Sequence, residues 1–320
     1  MSRKLAVIVE NLTEAHREKI RAAAEGNGFE VRFMASPKDD IPFLMDAEIV
    51  FGHRPKTAAS SPKMKWLCTP FAGVDQFLAP GAFANPEAML SNSSGAYGVT
   101  ISEHTVMTVL EILRRQPEYR RIVAAREWKR DLTVRSIRGS RITLLGTGDI
   151  GRETAKRLRA FGPACLTGVN RGGRNPEGLF DRILTAEALE TVLPETDILI
   201  ISLPGTRESF HRIGRAQLAL LPDGAVIVNV GRGSVIDQPA LVRELQSGRL
   251  YAALDVFEQE PPAKDDPLWE IPNLLITPHT AGNMTLAYTV NRIVDLFLED
   301  LDRYCAGEKP ARLIDRNRGY

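Results

Sequence analysis

Three glycines, Gly146, Gly148 and Gly151, stand at Gly-x-Gly-x-x-Gly spacing directly after the apolar run Ile142–Leu145. A strand that ends in this pattern and turns into a helix is a device for holding a dinucleotide. The first glycine permits a tight turn, the second leaves space beside the backbone for a pyrophosphate, and the third lets helix and strand pack closely. The helix start around Asp149 and Ile150 then aims unpaired N–H donors at the anion. Three later segments carry reactive side chains: Asn229-Val230-Gly231-Arg232-Gly233, Leu254-Asp255-Val256-Phe257-Glu258-Gln259-Glu260-Pro261 and Thr277-Pro278-His279-Thr280-Ala281-Gly282. Each follows a predicted strand. One arginine, one glutamate and one histidine are therefore expected at the same sheet edge as the glycines, the edge where open parallel sheets bind ligands.

The elements that must position these groups are legible as alternating strands and helices. Strands are predicted at Leu5–Val9, Val31–Met34, Ile49–Phe51 and Trp66–Thr69, with an amphipathic helix over Glu14–Ala24. Asn92–Tyr97 is a polar break, followed by a mostly apolar helix over Ile101–Leu113. After the glycines a helical pattern runs through Ala155, Leu158 and Phe161. Apolar segments follow at Cys165–Val169, Ile198–Ser202, Ala225–Val230, Leu250–Leu254 and Leu274–Thr277, as expected for strands buried on both faces. Helices are predicted between them at Ala186–Val192, Arg215–Leu220 and Gln238–Ser247, and a last one at Leu286–Tyr304. The fold class is α/β: a doubly wound parallel cofactor domain over residues 96–284, and a smaller α/β domain built from both chain ends, residues 1–95 and 285–320.

Composition excludes several classes of function. With 320 residues and a net charge of +1 there is no general case for nucleic acid or membrane binding. The basic run between Arg114 and Arg141 reads as a solvated helix and arm, without any nucleic-acid motif. Cys68, Cys165 and Cys305 are far apart and odd in number, which fits reduced thiols and a cytoplasmic protein. The start, MSRKLAVIVEN, reads as a first strand rather than a signal peptide, and no apolar run approaches the ~20 residues of a membrane span. No second His or Cys stands at ligand spacing, so no metal is expected.

The second strand after the glycines indicates the cofactor. An acidic residue about 20 residues beyond the motif holds the ribose hydroxyls in NAD-binding sheets. Here the segment reads Gly168-Val169-Asn170-Arg171-Gly172-Gly173-Arg174, with no carboxylate. Asn170 can hydrogen-bond a ribose, and Arg171 with Arg174 suits a 2′-phosphate. NADP(H) is favoured, with NAD(H) the alternative.

Taken in order, G-x-G-x-x-G, V-G-R-G, D-V-F-x-x-E-P and P-H-x-x-G make the chain resemble the D-isomer-specific 2-hydroxyacid dehydrogenases over nearly its whole length. The resemblance implies a Rossmann cofactor domain with a flavodoxin-like substrate domain, an active site in the cleft between domains, and a homodimer formed through the cofactor domains. It implies that Arg232 binds the substrate carboxylate and polarises the keto oxygen, that His279 is the acid/base, and that Glu260, rather than Glu258, hydrogen-bonds His279. Asp255 and Val230 would lie by the cofactor, Leu203-Pro204 near its adenine, and the Ala72-Gly73 backbone on the substrate carboxylate. These roles agree with physical chemistry. Hydride delivery to a ketone leaves negative charge on oxygen, which calls for a proton donor and a fixed cation. A carboxylate beside the imidazole favours its charged form and fixes its orientation.

The chain departs from common family patterns at Asn170-Arg171 and at Asp75-Gln76-Phe77. Ala72 stands where phosphite-oxidising relatives have Lys, and Glu260 where formate-specific ones have Gln. The resulting expectation is an NADPH-dependent reductase of small 2-keto acids such as glyoxylate, hydroxypyruvate or pyruvate-like compounds, running reversibly as a 2-hydroxyacid dehydrogenase. Loops around Arg54 and Phe71 would set its selectivity. The alternative is a dinucleotide-sensing binding protein of the corepressor type. His16, His53, His104 and His211 read as structural or surface residues.

Overall fold

Parallel strands buried on both faces need apolar side chains in both directions, and the short runs LAVI, IVF, ILII and VIV meet that need. In the computed structural model, which describes residues 3–52, 59, 61–175, 177–316 and 318–319, these runs form two parallel sheets. His53 and Arg54 lie outside the described residues. The chain divides into two compact units, one of residues 1–97 with 283–320 and one of residues 98–282.

The first unit carries β1 (Arg3–Ile8), β2 (Phe29–Phe33), β3 (Ile49–Gly52), β4 (Trp66–Cys68) and β5 (Met89–Ser91), in the order β2-β1-β3-β4-β5. Between the first strands run α1 (Glu14–Gly26) and α2 (Ile41–Asp46), started by capping side chains on Thr13 and Asp40. His16 closes the α1 capping box and its Nε2 lies 2.6 Å from Asn291 Oδ1, so it is a structural tie. The C-terminal helix (Ala287–Cys305) returns to this sheet, with the Phe297 ring stacked 4.0 Å from that of Phe51. β5 is a three-residue strand that the periodicity does not reveal. It forms the sheet edge, and Leu90 O accepts from Ile314 N at 2.8 Å.

The second unit opens with a helix, α3 (Gly98–Leu113), and a shorter one, α4 (Gln116–Ala124). Its sheet comprises β6 (Arg141–Leu145), β7 (Cys165–Asn170), β8 (Arg182–Thr185), β9 (Ile198–Ile201), β10 (Val226–Asn229), β11 (Tyr251–Leu254) and β12 (Leu274–Ile276). The order β12-β11-β10-β9-β6-β7-β8 reverses direction between β6 and β9, the switch point at which such sheets take ligands. The fold is thus the doubly wound α/β class. α5 (Asp149–Arg159) follows the glycines and buries Ala155 and Leu158. Phe161 lies past its end and is 38% exposed, so the helical pattern stops short of it. The expected helix over 186–192 is a 3₁₀ turn (Ala186–Ala188) followed by α6 (Leu189–Val192), and Pro194 lies in a second 3₁₀ turn directly after it. β8 was not anticipated: its half-exposed edge sequence, RILT, carries little pattern. The remaining helices are α7 (Arg215–Leu220) and α8 (Gln238–Gln246), and the C-terminal helix is α9. Among the described residues no helix is long and apolar enough to cross a membrane, and no cluster could hold a metal ion. The three cysteines are unpaired.

Candidate active site

The three glycines of the β6–α5 turn divide into two kinds. Gly146 has φ +103°, and a side chain there would stand 3.0 Å from Ser202 Oγ. At Gly151 a Cβ would fall 2.2 Å from Gly146 O, so only hydrogen lets helix and turn approach. Gly148, which starts α5, would meet nothing within 4 Å. Two glycines therefore pack protein against protein and the middle one borders open space, which fits the backbone approach of a pyrophosphate. The Asp149 carboxylate is turned to the start of α3, where a Cβ on Gly98 would stand 2.6 Å from its Oδ1. Its charge favours that helix N-terminus. Half-buried Ile150 follows it in the first turn of α5.

At the end of β7, Asn170 is a brace. Its Oδ1 accepts from Gly172 N at 3.0 Å and Arg174 N at 3.3 Å, and its Nδ2 donates to Thr147 Oγ1 at 2.8 Å and Arg174 O at 3.0 Å. The side chain ties the arginine loop to the glycine turn. Arg171 and Arg174 themselves are exposed. The Glu208 carboxyl is held below its usual range by its own backbone N–H and by Thr206, with Arg171 and Arg207 adding to the effect.

The loops after β9, β10 and β11 are fitted together through glycines that flank Arg232. A Cβ on Gly231 would stand 2.5 Å from Leu203 O, and one on Gly233 only 1.9 Å from Phe257 C. Arg232 is thus fixed between the loop that begins at Leu203-Pro204 and the loop that follows β11. Asn229 adds bonds to Gly231 N (3.0 Å) and Arg232 O (2.9 Å), and buried Val230 N donates to Ile201 O at 3.0 Å. The half-buried Arg232 guanidinium donates from Nη1 to Gly231 O at 2.8 Å. Ser209 Oγ holds Pro204 O at 2.6 Å.

Glu260 and His279 meet. Glu260 Oε2 lies 2.7 Å from His279 Nδ1, and Oε1 accepts from Phe257 N at 2.9 Å. An ionised carboxylate only accepts, so the proton of this bond sits on Nδ1 and Nε2 is left for other chemistry. His279 has φ +52°, an uncommon conformation for a residue other than glycine. Its N–H donates to Asp255 O at 2.9 Å. Asp255, 3% exposed, accepts from Thr277 Oγ1 (2.6 Å), Thr280 N (2.9 Å) and Ala281 N (3.0 Å). Its observed work is to hold the loop that presents His279.

Two interactions here have no local sequence signal. His211 Nε2 lies 2.8 Å from Glu258 Oε1, which also accepts from Gln238 N at 3.0 Å, so Glu258 ties three loops and leaves Glu260 to meet His279. His104 Nε2 lies 3.2 Å from Thr277 Oγ1 across 173 positions of sequence. Only the topology could have revealed either. In the first unit Ala72 and Gly73 lie in the loop after β4, with Ala72 O bonded by Asn92 Nδ2 at 2.7 Å and Pro70 O by Tyr97 hydroxyl at 2.8 Å. The polar Asn92–Tyr97 break is therefore a brace for this loop, and Asp75–Phe77 forms a 3₁₀ turn beyond it.

The sequence profile of the D-isomer specific 2-hydroxyacid dehydrogenase NAD binding domain matches residues 106–281. Glyoxylate/hydroxypyruvate reductase B of Klebsiella pneumoniae is 32% identical over 76% of this chain and 78% of that protein. A D-isomer specific 2-hydroxyacid dehydrogenase family protein from Aeromonas salmonicida superposes with a TM-score of 0.87 at 30% identity, over 99% of this chain and 100% of that one. The NADPH-dependent glyoxylate/hydroxypyruvate reductase of Sinorhizobium meliloti, solved with NADP and sulfate, gives a TM-score of 0.81 at 27% identity, over 99% of this chain and 100% of that one.

Proposed function

The chain belongs to the D-isomer specific 2-hydroxyacid dehydrogenase family, and from that premise we propose that it is an NADPH-dependent reductase of small 2-keto acids, reversible toward the D-2-hydroxy acid. The observation that carries this reading is the His279–Glu260 bond of 2.7 Å, on a loop whose neighbours fix Arg232. When bound, the nicotinamide supplies the hydride in reduction and receives it in oxidation. Arg232 binds the substrate carboxylate and draws charge from the keto oxygen, using two nitrogens in one plane. His279 gives its Nε2 proton to that oxygen in reduction and removes it in oxidation. Glu260 holds Nδ1–H, keeping the ring in the one orientation that aims Nε2 outward, and stabilises the imidazolium present before reduction and after oxidation.

The residues of the second unit fit a dinucleotide. Gly148 gives the pyrophosphate its approach, with the N–H groups of Asp149 and Ile150 behind it. Arg171 and Arg174 would pair with a 2′-phosphate, and no carboxylate ends β7 to repel it. The Sinorhizobium relative bound to NADP supports the same choice, and names of the relatives point to glyoxylate or hydroxypyruvate. A homodimer through the second unit is proposed from the outer face of α3, where Met107 is 46% exposed beside Val106, Leu110 and Phe161. Trp128, 91% exposed on the arm after α4, would also be covered.

The test is oxidation of NADPH and of NADH with glyoxylate, hydroxypyruvate and pyruvate, for the wild type and for Arg232→Ala. Turnover with NADPH preferred, and a loss of roughly 10²-fold or more in kcat/KM for the variant, is expected. No turnover with any keto acid, together with cofactor-dependent assembly, would overturn the enzyme reading in favour of a sensing protein.

A further inference from the structure

The loop that presents His279 hangs on Asp255, and Asp255 is reached from a helix remote in sequence. His104, on α3, has a side chain only 13% exposed. Its Nε2 lies 3.2 Å from Thr277 Oγ1 and 4.0 Å from Asp255 Oδ1. Thr277 Oγ1 in turn lies 2.6 Å from Asp255 Oδ1. The direction of this chain follows from the inventory of hydrogens. Ionised Asp255 can only accept, so the single hydroxyl hydrogen of Thr277 goes to it. The Thr277 oxygen must then receive its other partner, which assigns the hydrogen of the His104 ring to Nε2. Burial lowers the pKa of His104, with Asp255 and Glu111 opposing that, so the neutral ring carries its one hydrogen there. In the opposite tautomer Nε2 would compete for the Thr277 hydrogen, and Asp255 Oδ1 would lose its shortest bond.

From this chain we infer that His104 is a positioning residue for His279: through the Thr277 hydroxyl it fixes the Asp255 carboxylate, which holds the backbone of residues 280 and 281 next to it. Three bonds connect Asp255 to the 279–281 backbone: His279 N to Asp255 O at 2.9 Å, Thr280 N to Oδ1 at 2.9 Å and Ala281 N to Oδ2 at 3.0 Å. They keep His279 at φ +52°, a conformation a loosened loop would leave. His104 touches no reacting atom. Its effect lies in the alignment of the acid/base, to which proton transfer is sensitive at the level of an ångström. The inference rests on the acid/base role proposed for His279.

The test compares His104→Leu, His104→Gln and Thr277→Val with the wild type in the NADPH assay, beside NADPH binding followed by fluorescence. His104→Leu is expected to lower kcat about tenfold with NADPH affinity changed less than about twofold. His104→Gln, whose amide can donate from the same place, is expected to recover most of that loss. The double variant His104→Leu/Thr277→Val should be no worse than either single one, since both cut one chain. Two readouts do not depend on turnover. In ¹⁵N spectra of the full protein His104 should be the Nε2–H tautomer, and amide exchange at Thr280 and Ala281 should quicken in His104→Leu. An Nδ1–H tautomer, unchanged exchange, or an unchanged kcat in an otherwise active enzyme would overturn the inference. If the wild type turns over no keto acid, the tautomer and exchange results still decide the positioning chain, while the enzymatic reading falls separately.

Discussion

The two flanks of the seven-stranded sheet treat their ligand-facing loops differently. Beyond β10, β11 and β12, Arg232 sits between two glycines that admit no side chain, Glu260 is bonded on both oxygens, and the His279 loop is tied to buried Asp255. Beyond β7, one asparagine shapes a loop whose arginines stand in solvent. The rigid flank is organised by close contact and fixed dipoles, as charge stabilisation in a transition state requires. In the proposed function the open flank would work through charge, whose reach is longer and whose geometry matters less. On the proposed function, a change of residue on the second flank would alter cofactor choice without disturbing the first.

Substitutions can break this contrast at either flank. The largest effect is expected for His279→Ala, with kcat reduced by about 10²–10⁴-fold in steady-state assays and NADPH binding nearly unchanged. Next come two glycine substitutions. Gly233→Ala would place a methyl group 1.9 Å from Phe257 C and is expected to cost about 1–3 kcal/mol or more, seen as a Tm lowered by several degrees in thermal unfolding. Gly148→Ala meets nothing within 4 Å among the described residues beyond its chain neighbours, so its Tm should hold while NADPH affinity falls in a binding titration. A smaller effect is expected for Arg171→Ala/Arg174→Ala. The KM for NADPH should rise about tenfold, that for NADH should stay, and the difference should shrink with added salt.

The smallest is a pH effect on the rigid flank. Burial lowers the folded pKa of His104 below the ordinary 6.5, so in that window the unfolded chain binds a proton that the folded one does not. Stability is then lost as pH falls below the ordinary histidine value. His104→Gln should lose less Tm than the wild type between pH 7 and pH 5, and an equal loss would mean that His104 does not carry this sensitivity.

The contrast also explains how much of the molecule is legible in its sequence. The doubly wound order and the ends of β6, β9, β10, β11 and β12 were legible because buried parallel strands are apolar throughout and motifs follow them directly. β5 and β8 were not: β5 is a three-residue segment, MLS, too short to show a strand period, and β8 is half exposed. Within the site, the meeting of Glu260 with His279 followed from adjacent strand ends and the family resemblance. The ties of Glu258 to His211 and of Thr277 to His104 join positions 47 and 173 residues apart, and neither follows a shared period or motif. The sequence allows Asn170 a ribose partner but does not show its four bonds to Thr147 and its own loop. A side-chain amide does not announce which of its possible partners it will take.

The two glycines beside Arg232 have a further consequence for how such a protein can diversify. Because neither position 231 nor position 233 has room for a Cβ, the guanidinium cannot migrate by one residue in either direction along the chain. Any lineage that keeps this sheet must keep its cation at the same address. Novelty in the acids it accepts then has to arise from other segments, and homologues with different preferences should share this pentapeptide's backbone path while their remaining loops diverge.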